Sequence, residues 1–271
     1  MRILLGMMRY AAAESANMAK ADEDDATLDR LCDELGSVIR SVGDASGTTP
    51  ERRRRAVRAL LELDNCVYAA VSLCAREYDD GLHPKHRLTG YHEFFCQNIG
   101  PVESVLDIGC GNGFLTSDMA KCTRGRVVGI DMSRDNIEFA RTHYQADNAE
   151  FVLGDVNERL EGTRFDVVVM SNVLEHLADR VGFLKRVREG ARPRKLLVRV
   201  PMFEREWMVP LKREMGVNYL LDATHRIEHR QEEFFEELRA GGFEPEHVEF
   251  RWGEIWCRAV PRHPEGENRG E

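Results

Sequence analysis

The sequence predicts an α/β fold: a doubly wound, mainly parallel sheet with an antiparallel edge, preceded by an N-terminal helical cap. From residue 102, short apolar segments alternate with helical ones, as parallel strands and their crossover helices require. Two further strands flank Gly253 near the end of the chain and are close enough to form a hairpin. The seven predicted strands span residues 104–108, 126–131, 150–153, 165–170, 195–200, 247–251 and 254–259.

Composition disfavours several classes of protein. The 271 residues are 42% hydrophobic, which is enough for the core of one large α/β domain, alone or with an appendage. The net charge of −9 repels a phosphate backbone, so we expect no nucleic-acid partner. No run of about 18 apolar residues occurs, and Arg9 interrupts the short apolar N-terminus, so we expect no membrane association. Seven scattered cysteines without a C-x-x-C pair indicate reduced thiols and a cytoplasmic location.

The N-terminal part of the chain predicts helices. Residues 1–24 and the tail 263–271 are expected to be disordered. Apolar residues recur with helical spacing over 28–42, and Thr49 with Pro50 is typical of the start of a second helix, which ends near Tyr78. We assign 25–95 to a helical cap and entrance segment that covers a ligand site or forms a homodimer surface. Residues 96–262 then form the α/β domain, with an insertion at 201–230.

A glycine-rich loop is the strongest motif in the sequence. Gly109, Gly111 and Gly113 lie between the first strand and a helix, where the absence of β carbons allows a tight turn and close approach to a ligand. A dinucleotide fingerprint needs glycine at the position of Phe114, and no G-x-x-x-x-G-K-[ST] phosphate loop occurs. The acid before the loop, Asp107, instead suits a ligand that carries an ammonium group.

Two more acids follow the second and third strands. Asp131 comes 18 residues after Gly113, where a carboxylate in this fold can accept hydrogen bonds from ribose hydroxyls. Asp155 can accept from an exocyclic amine, with Val156 supplying a backbone N–H. Either acid alone would be more simply explained as a helix N-cap. Three acids at three successive strand ends, together with the glycine loop, make that explanation improbable.

With these motifs, the sequence resembles the class I S-adenosylmethionine-dependent methyltransferases, specifically over 104–177 and more generally over about 80–260. The resemblance implies a Rossmann-like methyltransferase fold, with seven strands and the last one antiparallel, and S-adenosylmethionine as cofactor. It implies that the loop holds the methionine and ribose parts, that Asp131 binds the ribose and that Asp155 binds the adenine amine. The cofactor-binding residues carried over from these motifs are Asp107, Gly109, Cys110, Gly111, Gly113, Asp131, Met132, Asp155 and Val156.

The same resemblance assigns residues around the transferable methyl group. Ser171 and Asn172, after the fourth strand, would border the methyl, and 174–177 would open the next helix. Upstream, Arg87 would contact the cofactor's carboxylate, with Tyr91 and His92 as pocket walls. The alternative is a helix N-terminus that is simply rich in surface cations. No N-P-P-Y-like tetrad follows the fourth strand, which disfavours methylation of nucleobases.

Candidates for acceptor chemistry lie after the fourth and fifth strands. A hydroxyl acceptor usually needs a general base, most often histidine. His225 is the first candidate, followed by His176 and His229, although each could be a structural histidine. Trp207 and Met208 lie in the insertion and could line a pocket for an apolar acceptor. Alternatively, they could pack over their own helix. His225 and His229 are four residues apart, but no H-E-x-x-H motif or third ligand accompanies them, so we predict no metal.

The sequence therefore predicts an S-adenosylmethionine-dependent methyltransferase that acts on a small molecule, through O-methylation of a hydroxyl. Two alternatives remain open. One is a protein or RNA methyltransferase that recognises its substrate through the N-terminal helices. The other is a non-catalytic S-adenosylmethionine-binding partner subunit, because acids that bind the cofactor do not by themselves establish turnover.

Overall fold

A computed structural model describes residues 25–44, 49–79, 83–160, 162 and 164–262. The expectations for 1–24 and 263–271 fall outside these described residues. The chain divides into two compact units, 1–65 and 66–271. Within the described ranges, no helix has both the length and the apolar character needed to cross a membrane.

The N-terminal helices are α1 (Asp25–Asp44) and α2 (Pro50–Tyr78), which continues from the first unit into the second. The predicted start of α2 is confirmed: Pro50 is its first residue, and the Thr49 hydroxyl accepts a hydrogen bond from the backbone N–H of Arg52 at 3.4 Å. Proline is tolerated there because the first-turn N–H groups have no partner within the helix.

A seven-stranded sheet forms the centre of the second unit, in the order β3-β2-β1-β4-β5-β7-β6. β7 is antiparallel to both of its neighbours, while β1 to β5 are parallel. The predicted fold class is therefore confirmed. The strands are β1 (Val105–Ile108), β2 (Val127–Asp131), β3 (Ala149–Leu153), β4 (Val167–Ser171), β5 (Lys195–Pro201), β6 (Phe243–Arg251) and β7 (Glu254–Pro261).

In the described part of the chain, seven further helices connect or flank these strands. They are α3 (Lys85–Thr89), α4 (Tyr91–Gln97), α5 (Phe114–Cys122), α6 (Arg134–His143), α7 (Arg180–Gly190), α8 (Met208–Met215) and α9 (Gln231–Ala240). Short 3₁₀ turns occur at Val156–Glu158, Leu174–His176 and Phe203–Arg205. The helix expected to open at 174–177 is one of these turns, and α7 begins only at Arg180, where the Asp179 carboxylate accepts from the N–H of Gly182.

The core lies on both faces of the sheet. Neighbouring residues of β4 point to opposite sides, so Val168 packs in one buried cluster and Val169 in another. The first cluster includes Phe234 of α9, and the second includes Phe95 of α4. This double covering explains why the central strands read as continuous apolar runs.

The end of the sheet departs from the sequence prediction in one respect. β6 begins at Phe243, four residues before the predicted start, and includes Pro245. Proline cannot donate to a strand ladder, but β6 is the edge of the sheet, and its pairing with β7 shifts register between Pro245 and His247. The predicted hairpin is confirmed, with Trp252 and Gly253 both at positive φ (54° and 73°), as in a type I′ turn.

Parallel register brings the functional loops to one edge of the sheet. Ile108, the last residue of β1, is paired with Ile130 of β2 and with Met170 of β4. The loops that follow these three strands therefore start at the same level, at the carboxyl edge where ligands of open α/β sheets bind.

Candidate active site

The glycine loop between β1 and α5 leaves one side open. A β carbon at Gly109 would lie 2.8 Å from Val173, and one at Gly113 would lie 2.6 Å from Phe151, so both glycines are needed for packing. A β carbon at Gly111 would meet no atom within 4 Å. All three glycines have positive φ, at 68°, 54° and 83°. The backbone at Gly111 therefore faces space that a ligand can occupy.

Asp107 is a buried acid directly before this loop. It is 1% exposed, and its Oδ2 accepts a hydrogen bond from the Thr116 hydroxyl at 2.6 Å. Burial raises the pKa of Asp107 to about 7, even though the Thr116 bond lowers it. A cation nearby would stabilise the charged form of this carboxylate. Cys110, also buried, lies within the loop, and burial raises the pKa of its thiol, so a thiolate nucleophile is disfavoured there.

Asp131, the last residue of β2, is fixed against the glycine loop. Its Oδ2 accepts from the N–H of Gly111 at 2.9 Å, and its Oδ1 accepts from the N–H of Ser133 at 2.8 Å. Ser133 in turn caps α6. Met132, beside the carboxylate, is 75% exposed. The carboxylate and the open glycine thus lie side by side at the ends of neighbouring strands.

Asp155 follows β3 and starts a 3₁₀ turn. Its Oδ1 accepts from the backbone N–H and the side-chain amide of Asn157, at 2.8 and 2.9 Å. Val156 is the first residue of the turn. Asp155 therefore does act as a cap, which leaves its proposed contact with an adenine amine as a second role for the same carboxylate.

The end of β4 carries a strained residue. Asn172 has φ 57°, its N–H donates to the carbonyl of Arg199 at 2.8 Å, and its side-chain oxygen accepts from the Arg199 guanidinium at 3.3 Å. Arg199, on β5, is 3% exposed and lies 3.7 Å from the centre of the Tyr91 ring. Residues with positive φ persist where the surroundings hold them, often at functional sites. Ser171, the last residue of β4, precedes this position.

Some residues of the entrance segment are exposed and others are buried. Arg87, on α3, is exposed and forms an ion pair with Asp79 at 3.1 Å. Tyr91 is buried, and its hydroxyl lies 2.6 Å from Nδ1 of His86. His92 contacts a carboxylate, with Nδ1 2.7 Å from Asp118. The structure thus brings Tyr91 to Arg199 in the interior and places Arg87 in a surface ion pair.

Two of the three candidate histidines meet beside the loop that follows β4. The ring centres of His176 and His225 are 4.7 Å apart. Nδ1 of His225 lies 3.0 Å from Glu228, and its Nε2 lies 4.0 Å from Glu175. Burial lowers the pKa of His225, but the Glu228 hydrogen bond and the nearby acids outweigh it, so the net pKa is raised. Burial and the nearby His225 lower the pKa of His176.

His229 lies apart from this pair. It is fully buried, forms an isolated bridge with Met202, and packs edge-on against Phe234. Its Nε2 is 3.6 Å from Glu237. His225 and His229 do not share a helix, since both precede α9. Among the described residues, the side chains close enough to share a metal ion are instead Glu175, His176 and His225, whose ligand atoms all lie within 4.8 Å of one another.

Comparisons with known proteins identify a methyltransferase domain in this part of the chain. The sequence profile of a family described as a methyltransferase domain matches residues 100–233, which include the glycine loop, Asp131, Asp155 and the His176–His225 pair. This matched region belongs to the class I S-adenosylmethionine-dependent methyltransferases. The open glycine and the acids at the strand ends fit S-adenosylmethionine, the cofactor of this family.

Two kinds of curated relative match this methyltransferase. The ubiquinone biosynthesis O-methyltransferase of Azorhizobium caulinodans is 34% identical over 151 residues, 52% of this chain and 58% of that protein. The ribosomal protein L11 methyltransferase of Burkholderia pseudomallei is 35% identical over 118 residues, 42% of this chain and 38% of that protein. The matches therefore span 38 to 58% of the relatives' own length.

A solved structure shares the fold of the methyltransferase. It is a chain from the complex between the Trm112 methyltransferase activator and a methyltransferase of Haloferax volcanii. It superposes with a TM-score of 0.56 at 17% identity and covers 72% of this chain and 98% of that chain. At this identity the likeness concerns the fold alone.

The sequence analysis did not single out three charged residues of the candidate site. Arg199 was detectable, because it is the one charged residue among the buried positions 196–201 of β5. Glu175 directly precedes the candidate His176 and was overlooked beside it. Glu228 offered no signal, because its contact with His225 depends on an irregular loop. The insertion residues differ in exposure: Trp207 is 73% exposed, whereas Met208, the first residue of α8, is partly buried.

Proposed function

We propose that this methyltransferase transfers a methyl group from S-adenosylmethionine to a hydroxyl oxygen of a small-molecule acceptor. The cofactor supplies a methyl on a positively charged sulfur that is its own leaving group, so the protein must mainly align the acceptor and remove its proton. The observation that carries the proposal is the buried imidazole of His225, oriented by Glu228, next to the loop that follows β4.

The cofactor would be held by the residues at the carboxyl edge of β1, β2 and β3. Asp107 would pair with its ammonium group, because this carboxylate is buried and lacks a cationic partner of its own in the described part of the chain. Gly111 would allow close approach, and Asp131 would accept from the ribose hydroxyls. Asp155 would accept from the adenine amine, with the N–H of Val156 as donor.

His225 is the best placed of the three histidines to accept the acceptor's proton. Its raised pKa makes the neutral imidazole a stronger base, and the Glu228 contact fixes the ring orientation. His176 is second, since its lowered pKa weakens it as a base. His229 fits a structural role better, because it is enclosed between Met202 and Phe234.

The curated relatives support two acceptor classes. The ubiquinone biosynthesis O-methyltransferase aligns over the longer segment, 151 residues, and its name denotes oxygen methylation of a small molecule. The ribosomal protein L11 methyltransferase, aligned over 118 residues, supports a protein acceptor as the second candidate. The net charge of −9 weighs against an RNA acceptor. A homodimer formed through the N-terminal helices remains part of the proposal, as does a cytoplasmic location.

The experiment is incubation with methyl-labelled S-adenosylmethionine and a cell extract, followed by separation into small molecules, protein and nucleic acid. The proposal predicts label in the small-molecule fraction, lost in Asp131→Asn and kept in Asp147→Asn, which alters an exposed acid. Label in protein would support the second candidate. Binding of the cofactor without label in any fraction would support the non-catalytic partner subunit.

A further inference from the structure

The side chains of Glu175, His176 and His225 converge where no sequence motif predicts a metal. The ligand atoms of all three lie within 4.8 Å of one another. Glu175 and His176 come from the 3₁₀ turn after β4, and His225 comes from the irregular loop between α8 and α9. The backbone links the two segments, because the N–H of Arg226 donates to the carbonyl of Glu175 at 2.8 Å.

The hydrogen bonds of His225 leave one ring nitrogen available as a ligand. Nδ1 lies 3.0 Å from the Glu228 carboxylate, which can only accept, so the proton of the neutral ring belongs on Nδ1. The lone pair is then on Nε2, which lies 4.0 Å from Glu175, too far for a hydrogen bond. Glu228 is itself held by Arg205 at 3.1 Å. A carboxylate behind a histidine is the usual support of a metal ligand.

His176 has the same arrangement through a different partner. The hydroxyl of Thr224 lies 2.6 Å from the Asp222 carboxylate and must donate its proton there. Its oxygen therefore accepts from Nδ1 of His176, at 2.9 Å. This chain of bonds leaves Nε2 of His176 with the lone pair. Both histidines thus carry their protons on Nδ1, which faces Glu228 in His225 and the Thr224 hydroxyl in His176, and each has Nε2 free for another ligand.

Glu175 supplies the third ligand. It is fully buried, and within the described part of the chain neither of its carboxylate oxygens has a hydrogen-bond partner. A buried carboxylate without partners costs free energy that a bound cation would recover. In a tetrahedral site with metal–ligand bonds of about 2.0–2.2 Å, ligand atoms lie about 3.5 Å apart, so the 4.0 Å between Glu175 and Nε2 of His225 would close by about 0.5 Å on binding.

We propose that Glu175, His176 and His225 bind one divalent transition-metal ion, such as Zn²⁺ or Mn²⁺. Two imidazoles and one carboxylate suit these ions, and three protein ligands leave coordination positions open. If the proposed function holds, an open position can receive the acceptor's hydroxyl oxygen, because the site adjoins the loop after β4. In that case His225 would act as a ligand and not as the general base named under the proposed function. Because a bound metal lowers the pKa of a coordinated hydroxyl, the acceptor's proton would pass to solvent.

The test is Co²⁺ titration of tag-free protein that has been treated with chelator, without cofactor or acceptor. Visible d–d absorption reports the ion's geometry, and metal analysis after desalting gives the stoichiometry. We expect one ion per chain, at least about tenfold weaker binding in Glu175→Gln and His176→Asn, and unchanged binding in His143→Asn, an exposed histidine of α6. Circular dichroism and S-adenosylmethionine affinity confirm that each variant is folded.

The possible outcomes separate the metal site from the proposed function. No stoichiometric Co²⁺ binding, or equal binding in wild type and the two ligand variants, would overturn the metal site. A thiolate-type near-ultraviolet band would also overturn it, because it would place the ion on cysteines instead. Ion binding at this site without methyl transfer to a hydroxyl would refute only the proposed function. Full methyl transfer by metal-free protein would refute the coordination of the acceptor's hydroxyl oxygen by the ion.

Discussion

Replacing Asp107 with asparagine should stabilise the cofactor-free protein while removing cofactor binding. The carboxylate is 1% exposed, and burial raises its pKa from 3.8 to about 7. The folded state therefore holds this proton more tightly than the unfolded state does. Stability falls as the pH rises from about 4 to about 7, and this loss persists above pH 7. Asparagine keeps an oxygen for the Thr116 hydroxyl and carries no charge to bury.

The two pKa values set the size of the effect. Ionisation of the buried carboxylate costs about 4 kcal/mol of folding stability at pH 8 and less than about 2 kcal/mol at pH 5. The new amide must also be accommodated, so the absolute gain is smaller, but that cost does not change with pH. The advantage of Asp107→Asn over wild type should therefore be about 2–3 kcal/mol larger at pH 8 than at pH 5.

Urea denaturation followed by circular dichroism, at pH 5 and pH 8, measures this difference. Asp147→Asn is the matched control, since it removes an exposed carboxylate. An advantage of Asp107→Asn that is the same at both pH values would refute the reasoning. Cofactor at one hundred times its dissociation constant should add about 2.7 kcal/mol to the stability of wild type and far less to that of the variant.

Two further substitutions test the loop and the acceptor side separately. Gly113→Ala should lower the free energy of unfolding by about 2–4 kcal/mol, because the backbone there has φ 83° and the new β carbon would lie 2.6 Å from Phe151. A calorimetric melting temperature within about 2 °C of wild type would contradict this. His225→Asn should reduce turnover at least about a hundredfold while leaving S-adenosylmethionine affinity unchanged; full activity at every pH would remove this residue from the chemistry.

The strands and the glycine loop could be predicted because their signals are local. A strand covered on both faces is a short apolar run, and β1, β2 and β4 are almost entirely buried. The glycine loop can be recognised in the sequence because tight turns with positive φ need glycine at fixed positions. The early start of β6 could not be predicted, because Pro245 disfavours a strand unless that strand lies at the edge of the sheet. The sequence alone does not give the position of β6 in the sheet.

The acceptor side of the site could not be predicted, because it depends on contacts between distant segments. Glu175 and His225 are 50 residues apart in the chain, and the loop that carries His225 has no helical or strand period. His229 follows His225 by only four residues, yet the fold turns His229 towards Met202 and Glu237. Such pairings are fixed by tertiary structure and leave no spacing to detect.

The measurement that tests the central claim most directly is calorimetric titration of S-adenosylmethionine into wild type, Gly111→Leu and Gly216→Leu. Both glycines have positive φ, and a β carbon at either would meet no atom within 4 Å, so the two changes impose similar backbone strain. Only Gly111 adjoins Asp131. We predict that Gly111→Leu weakens binding at least about a hundredfold and that Gly216→Leu binds as wild type does. Equal affinities in the two variants would contradict the placement of the cofactor on the glycine loop.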